Sequence, residues 1–258
     1  MARVNLPELA DQPWWPAWAR DGMTGYLHEI IKRARPYSLA VPHLARLLRE
    51  SGTIHIIDLC SGAGGPWPSL RQDLEAAGVA VEVLCTDLSP NRAAAHRLDH
   101  AEGVRYHVVP VSATSVPPEL KGARTMFSAL HHFSDADIRE ILARAQEDRA
   151  PFAAFEATSR SWRGLLATLV IPFAVLILMP LVRPLDWRAL WLTYLPPVMP
   201  LAIWWDGLIS TLRTARVEEL RALIAALPQT REPYRWVVEE IDGGPVPILA
   251  LCGSPSIK

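Results

Sequence analysis

At 258 residues, half of them hydrophobic, the chain is long enough to bury one full α/β core carrying an insertion. Its formal net charge of −1 leaves no basic face for nucleic-acid binding. The three cysteines, Cys60, Cys85 and Cys252, each lie in or at the end of an apolar run. They fit buried thiols in a reducing compartment better than a disulfide set, and the acidic N-terminal start predicts no secretory signal.

In chain order, residues 1–50 open with DQPWWPAWARDG, too proline-rich for a long helix and too aromatic for a solvated tail. Apolar residues from Met23 to about Glu50 then recur at helical spacing, and Pro36 and Pro42 divide them into two helices. Residues 51–160 alternate strand and helix five times. A strand from Ile54 to Asp58 meets the turn CSGAGG, and a helix follows over Pro68–Ala77. The remaining strands are expected at Val79–Cys85, Val104–Val109, Arg124–Leu130 and Phe152–Phe155, with helices over Pro90–Glu102, capped by Ser89, and Ala136–Glu147, capped by Ser134 or Asp135. Such alternation predicts a parallel sheet covered on both faces.

The pattern changes over residues 161–205. Gly164–Val182 carries no charge, and a second apolar run, Leu190–Trp205, contains Pro196, Pro197 and Pro200. The first run would reach roughly 28 Å as a helix, about a bilayer's apolar thickness. The last strands must rejoin the same sheet, however, so a single crossing is excluded, and the prolines argue against a helical return span. The segment is therefore expected to cap the site: buried, dipped into one leaflet from residues 164–205, or used to form a homodimer. Trp187, Trp191, Tyr194, Trp204 and Trp205 with Arg183 and Arg188 have the composition of an interfacial belt. Residues 206–258 supply an amphipathic helix from Asp206 to about Leu227 and a hairpin about Gly243-Gly244.

The glycine turn has an acid, Asp58, at the strand end, unlike the G-x-G-x-x-G of a dinucleotide site. A carboxylate there suits a ligand ammonium and repels a phosphate, while Asp87, ending the second strand, suits two ribose hydroxyls. The pair fits S-adenosylmethionine, and a nicotinamide oxidoreductase is disfavoured. On these residues the chain resembles the class I S-adenosylmethionine-dependent methyltransferases over about residues 50–160 and the C-terminal hairpin. DQPWWPAWARDGMTGYL, IIDLCSGAGGP, FSALHHF and WWDGLISTLRT resemble, more narrowly, a bacterial subfamily with an apolar segment between strands five and six.

The resemblance implies a doubly wound, Rossmann-like seven-stranded sheet with an antiparallel last strand. It also implies cofactor contacts from Asp58, Ser61, Gly62, Gly64, Asp87, Leu88, Ser112, Ala113 and Ser128. Cys60 departs from the first glycine of that family's turn, and Ser112 from a frequent aspartate.

Methyl transfer needs an acceptor in line with the methyl, and a base where the acceptor carries a proton. His131 and His132 follow the fourth strand, where the family's methyl points; one is a candidate base, with His131 preferred, and the alternative is that they orient a loop. Asp206, Ser210 and Arg213 share a helix face that would either bind a substrate head group, with Asp206 near the chemistry, or form salt bridges. Trp15, with Trp14 and Trp18, would form a lid over the acceptor or pack on the sheet edge, and Trp205 would face substrate. Glu156 would touch substrate or cap the next element. The eight histidines show no helical H-x-x-x-H pair and the cysteines are scattered, so no metal site is expected.

The sequence thus predicts a cytoplasmic methyltransferase, at the inner face of the membrane where the cap dips, acting on a hydroxyl, carboxyl or amine of a lipophilic small molecule. A protein that keeps the cofactor fold for scaffolding, with little catalysis, is the alternative.

Overall fold

The computed structural model describes residues 3–256 except 5, 68, 99 and 231, so the expected helix start at Pro68 lies outside the described residues. Seven strands form one sheet in the order β3-β2-β1-β4-β5-β7-β6: β1 is His55–Asp58, β2 Glu82–Cys85, β3 Val104–Tyr106, β4 Ala123–Phe127, β5 Phe152–Glu156, β6 Tyr234–Ile241 and β7 Ile248–Pro255. The first five are mutually parallel, and β7 runs antiparallel to both β5 and β6. This is the expected doubly wound sheet. The order reverses direction between β1 and β4, the crevice where such sheets bind ligands.

The parallel strands are short and apolar because helices cover both faces. On one face Leu44 and Leu48 of α2 (Val41–Ser51), with Leu70 and Leu74 of α3 (Ser69–Ala76), pack on Ile56 and Phe155. On the other, Ile138, Ile141 and Leu142 of α5 (Asp135–Glu147) pack on Met126, Phe152 and Leu251. Ser134 caps α5 in a reciprocal box with Asp137.

Several elements differ from expectation. Helix α1 begins at Ala17, inside the tryptophan-rich segment, because Pro16 falls just before its first turn, where a missing N–H costs nothing. Helix α4 is only Arg92–Leu98, and its Ala94 N–H is accepted by Asn91 Oδ1 rather than by the expected cap Ser89. Strand β4 stops at Phe127, and Leu130–His132 forms a 3₁₀ turn. The expected strand residues Ser128 to Leu130 therefore belong to a loop.

The apolar segment folds as α6 (Trp162–Thr168), α7 (Ile171–Leu178), a 3₁₀ turn at Met179–Leu181, α8 (Trp187–Tyr194) and α9 (Val198–Arg213). Pro196 and Pro197 precede α9 and Pro200 sits in its first turn, so none of them breaks it. The helix runs straight through Asp206, across the expected boundary at 205/206, and α10 (Val217–Ala225) follows separately. No single described helix is long and apolar enough to cross a membrane; one bent pair, Trp162–Thr168 with Ile171–Leu181 at 41°, passes on length and composition.

Helix α1 packs Ala19, Met23 and Tyr26 against Val175, Met179, Met199 and Ile203 of this cap, so the N-terminal region lies on the cap rather than on the sheet edge. Gly164 in α6 fastens the cap to the core: a Cβ there would come within 1.9 Å of the Ser159 carbonyl oxygen. Gly164→Ala is expected to cost about 1–3 kcal/mol through overpacking. In a chain of this size that is read as a fall in melting temperature of about 2–4 °C per kcal/mol.

Candidate active site

Asp58 ends β1 between Cys85 of β2 and Thr125 of β4, and is buried. Its Oδ1 accepts a hydrogen bond from Thr125 Oγ1 and its Oδ2 one from Ser61 Oγ, both at 2.6 Å. Asp58, expected to meet a ligand ammonium, and Ser61, expected at the cofactor, thus bond to protein groups here. A carboxylate at the end of a central strand is covered by its neighbours, and these two residues brace the turn from beneath. Burial pushes Asp58 up to about 6, against the hydrogen bonds from Ser61 and Thr125.

Above Asp58 the turn follows a left-handed path, with φ of 57° at Cys60, 52° at Gly62, 100° at Gly64 and 54° at Gly65. Cys60 holds a conformation that glycine adopts without strain, which explains why its place is a glycine in the family the sequence resembles. A Cβ at Gly62 would meet nothing within 4 Å, so the turn borders open space. Asp87 lies at its edge: Oδ2 accepts the Gly62 N–H at 2.8 Å and Oδ1 the Ser89 N–H at 2.8 Å. Leu88 beside it is exposed, and the Val111 N–H donates to the Asp87 carbonyl, bringing Ser112 and Ala113 to the same rim. Tyr106, which carried no sequence signal, donates its hydroxyl to the Gly62 carbonyl at 2.9 Å.

Ser128, at φ 46°, does not face this space with a free hydroxyl: its Oγ lies 2.6 Å from Tyr37 Oη and accepts the Ala157 N–H. It braces the β4 loop instead, and that loop presents the histidines. Glu156, ending β5, accepts the Ala129 and Leu130 N–H groups with Oε1 at 2.9 and 2.7 Å, while its Oε2 lies 2.6 Å from His131 Nδ1. Glu156 therefore neither touches substrate space nor caps the next element. It holds the preceding turn and fixes the buried His131 with Nδ1 engaged and Nε2 directed elsewhere.

What Nε2 faces is Glu8, whose Oε1 is 3.8 Å away. The Oε2 of Glu8 is 3.9 Å from His132 Nε2, and His132 Nδ1 is 3.2 Å from Asp11 Oδ2. Glu8 is buried, and burial pushes it up to about 7, against the pull of His132. The ligating atoms of Glu8, His131 and His132 lie within 4.8 Å of one another, so the expectation of no metal-type grouping does not hold. An acid 123 positions away in sequence cannot be paired with a histidine by spacing.

Asp206, expected near the chemistry, is engaged with backbone. Its two oxygens accept the N–H groups of Leu9 and Ala10 at 2.6 and 2.9 Å, which anchors the N-terminal arm on α9. Trp205 Nε1 donates to the Pro7 carbonyl at 3.3 Å. Arg213 donates to the His132 carbonyl at 2.9 Å and has Nη1 3.5 Å from Glu8 Oε1, while the Ser210 carbonyl closes the end of α9 through Thr214. These residues, expected at the chemistry or the substrate, here hold the N-terminal arm, because α9 is the surface on which the arm lies. Trp15, edge-on to Trp14 at 5.7 Å, packs on the cap cluster as part of that arm.

No family model matches the sequence, and it matches no curated protein. Among solved structures, the plantazolicin methyltransferase BpumL in complex with SAH aligns over 96% of this chain and 94% of its own, with TM-score 0.59 at 9% identity. The same enzyme with a triazolic desmethylPZN analog and SAH gives TM-score 0.57 at 11% identity, over 93% of this chain and 95% of that one. Human N-acetylserotonin methyltransferase with SAM gives 0.53 at 11% identity, over 98% of this chain and 61% of its own. The fold is that of the class I S-adenosylmethionine-dependent methyltransferases.

Asp58 also gives the brace a pH signature. With its folded pKa raised from 3.8 to about 6, the stability contributed by the neutral acid is full below pH 3.8 and lost as pH rises through 6. Asp58→Asn is therefore expected to destabilise most near pH 4 and least above pH 6, measured by thermal unfolding against wild type. A cost that grows with pH would show the carboxylate to be the favoured form.

Proposed function

We propose that the protein transfers a methyl group from S-adenosylmethionine to a small molecule, with a hydroxyl as the favoured acceptor atom. The observation that carries this reading is the buried His131–Glu156 pair directly beyond β4, next to the left-handed turn and Asp87 at the sheet's switch point. The residues fit the cofactor: Asp87 offers carboxylate oxygens at the edge of the turn, Leu88 is an uncovered apolar surface for an adenine, and Ser112 and Ala113 lie on the same rim. When bound, the cofactor supplies an electrophilic methyl on a sulfonium.

His131 accepts the acceptor's hydroxyl proton at Nε2 as the oxygen takes the methyl. Glu156, already on Nδ1, stabilises the imidazolium. The arm over His131 excludes water, and the solved neighbours, a methyltransferase of N-acetylserotonin and one bound to a desmethylPZN analog, support a small-molecule acceptor.

Calorimetric titration with S-adenosylhomocysteine tests the cofactor. Wild type is expected to bind, and Asp87→Ala to bind at least tenfold more weakly, a loss of about 1.4 kcal/mol or more. No binding by wild type, or undiminished binding by the variant, overturns the reading.

The acceptor is lipophilic and is taken at the cytoplasmic face of a membrane. Supporting this, Trp162, Phe173, Ile177, Trp187 and Leu195 of the cap are each at least 66% exposed, with Arg183 and Arg188 between them. Exposed apolar side chains accompanied by arginine and tryptophan suit a headgroup boundary. In flotation with vesicles containing anionic lipid, wild type is expected to rise with the lipid. Phe173→Glu/Ile177→Glu, which alters only exposed side chains, is expected to stay at the bottom. Equal recovery of the two would remove the membrane from the proposal.

A further inference from the structure

We propose that Glu8, His131 and His132 form a binding site for a divalent transition cation of the zinc type, which ties the N-terminal arm to the loop after β4. The donor set is two imidazoles and one carboxylate, the combination that suits zinc and its neighbours. Glu8 offers one oxygen toward each histidine, at 3.8 and 3.9 Å from the two Nε2 atoms. Those separations are too long for hydrogen bonds, yet within the roughly 4.1 Å that two bonds of about 2.0–2.1 Å to one ion can span. All three ligating atoms lie within 4.8 Å of one another, so binding draws the rings closer by a small movement.

The outer contacts are those of a metal-binding histidine pair. His131 has Nδ1 on Glu156 and His132 has Nδ1 on Asp11, at 2.6 and 3.2 Å, which leaves both Nε2 atoms as the free donors on the side of Glu8. Carboxylates in that position fix the ring and make the opposite nitrogen a better ligand. Among the described residues three carboxylates, Glu8, Asp11 and Glu156, face the two imidazoles, against the guanidinium of Arg213 on Glu8 and that of Arg3, which is turned to the His131 and Phe133 carbonyls and to Asp135. Three protein ligands leave a fourth position open.

The proposal goes beyond methyl transfer and bears on it, since an ion on His131 Nε2 would occupy the nitrogen assigned there to the base. Bound metal then holds the arm closed and slows methylation. This part rests on the proposed function, whereas binding itself does not.

The test is calorimetric titration of zinc chloride into the full chain, freed of metal by chelation, in a non-coordinating buffer without cofactor. One ion per chain with micromolar or tighter affinity is expected, weakened at least tenfold by Glu8→Gln and by His132→Gln. His132 is partly exposed, so its variant tests the site even where Glu8→Gln fails to fold. Cobalt is expected to give the intense visible bands of a four-coordinate site in wild type only, and zinc to slow proteolysis of residues 3–16 in wild type only. No binding at 100-fold molar excess of zinc overturns the proposal, as does binding that survives both substitutions unchanged. A chain that binds zinc but not S-adenosylhomocysteine upholds this site and rejects the methyltransferase reading; the converse result rejects the site alone.

Discussion

The carboxylate of Glu156 is the constraint on which the site depends. It sits at the end of β5, buried, and spans to the loop after β4 with both oxygens engaged: two backbone N–H groups on one, an imidazole nitrogen on the other. A buried carboxylate is costly unless its lone pairs are filled, and three donors converge on this one. Two parallel strands are thereby joined at their ends through a side chain rather than through the ladder. The same contacts give His131 its orientation, and with it the direction of its second nitrogen.

From that orientation the N-terminal arm follows. Glu8 stands over His131 because Asp206 captures the N–H groups of Leu9 and Ala10, and because Arg213 reaches both Glu8 and the His132 carbonyl. One face of α9 thus carries two charged residues whose work is to hold a segment some two hundred positions away in sequence. Arg213 is paired with the buried Glu8 and Asp206 with two backbone N–H groups, so removing either side chain leaves its partners unsatisfied, and the arrangement favours one arm position over a range of loose ones. The lid and the cap form one body, since α1 packs on α7 and α9 rather than on the sheet.

The sequence made the sheet legible because its signals are local: β-branched runs end in Asp58 and Asp87, glycines follow the first strand, and Ser134 caps α5. The strand ends that frame the crevice were legible for the same reason. What sequence could not give is the use of each polar group. Asp58 and Ser128 read as ligand contacts, yet folding turns them inward onto Thr125 and Tyr37, partners 67 and 91 residues away. Asp206, Ser210 and Arg213 do share a helix face, but what that face meets depends on where the first ten residues go. Glu8 had no signal at all, being one of two acids in NLPELADQ with no periodicity around it.

The strained positions tie these levels together. Among the described non-glycine residues, Cys60 and Ser128 both hold positive φ within two residues of a central strand's end at the crevice, one in the turn that borders open space and the other at the root of the histidine loop. Such backbone costs of order 1–3 kcal/mol each and persists only where surrounding contacts over-determine it. The contacts are present: Ser61 and Asp58 secure the first, Tyr37 and the Ala157 N–H the second. Strain at adjoining strand ends, each braced by buried hydroxyl groups, fixes where the turn and the histidines stand relative to one another, and that positioning is what the proposed methyl transfer requires.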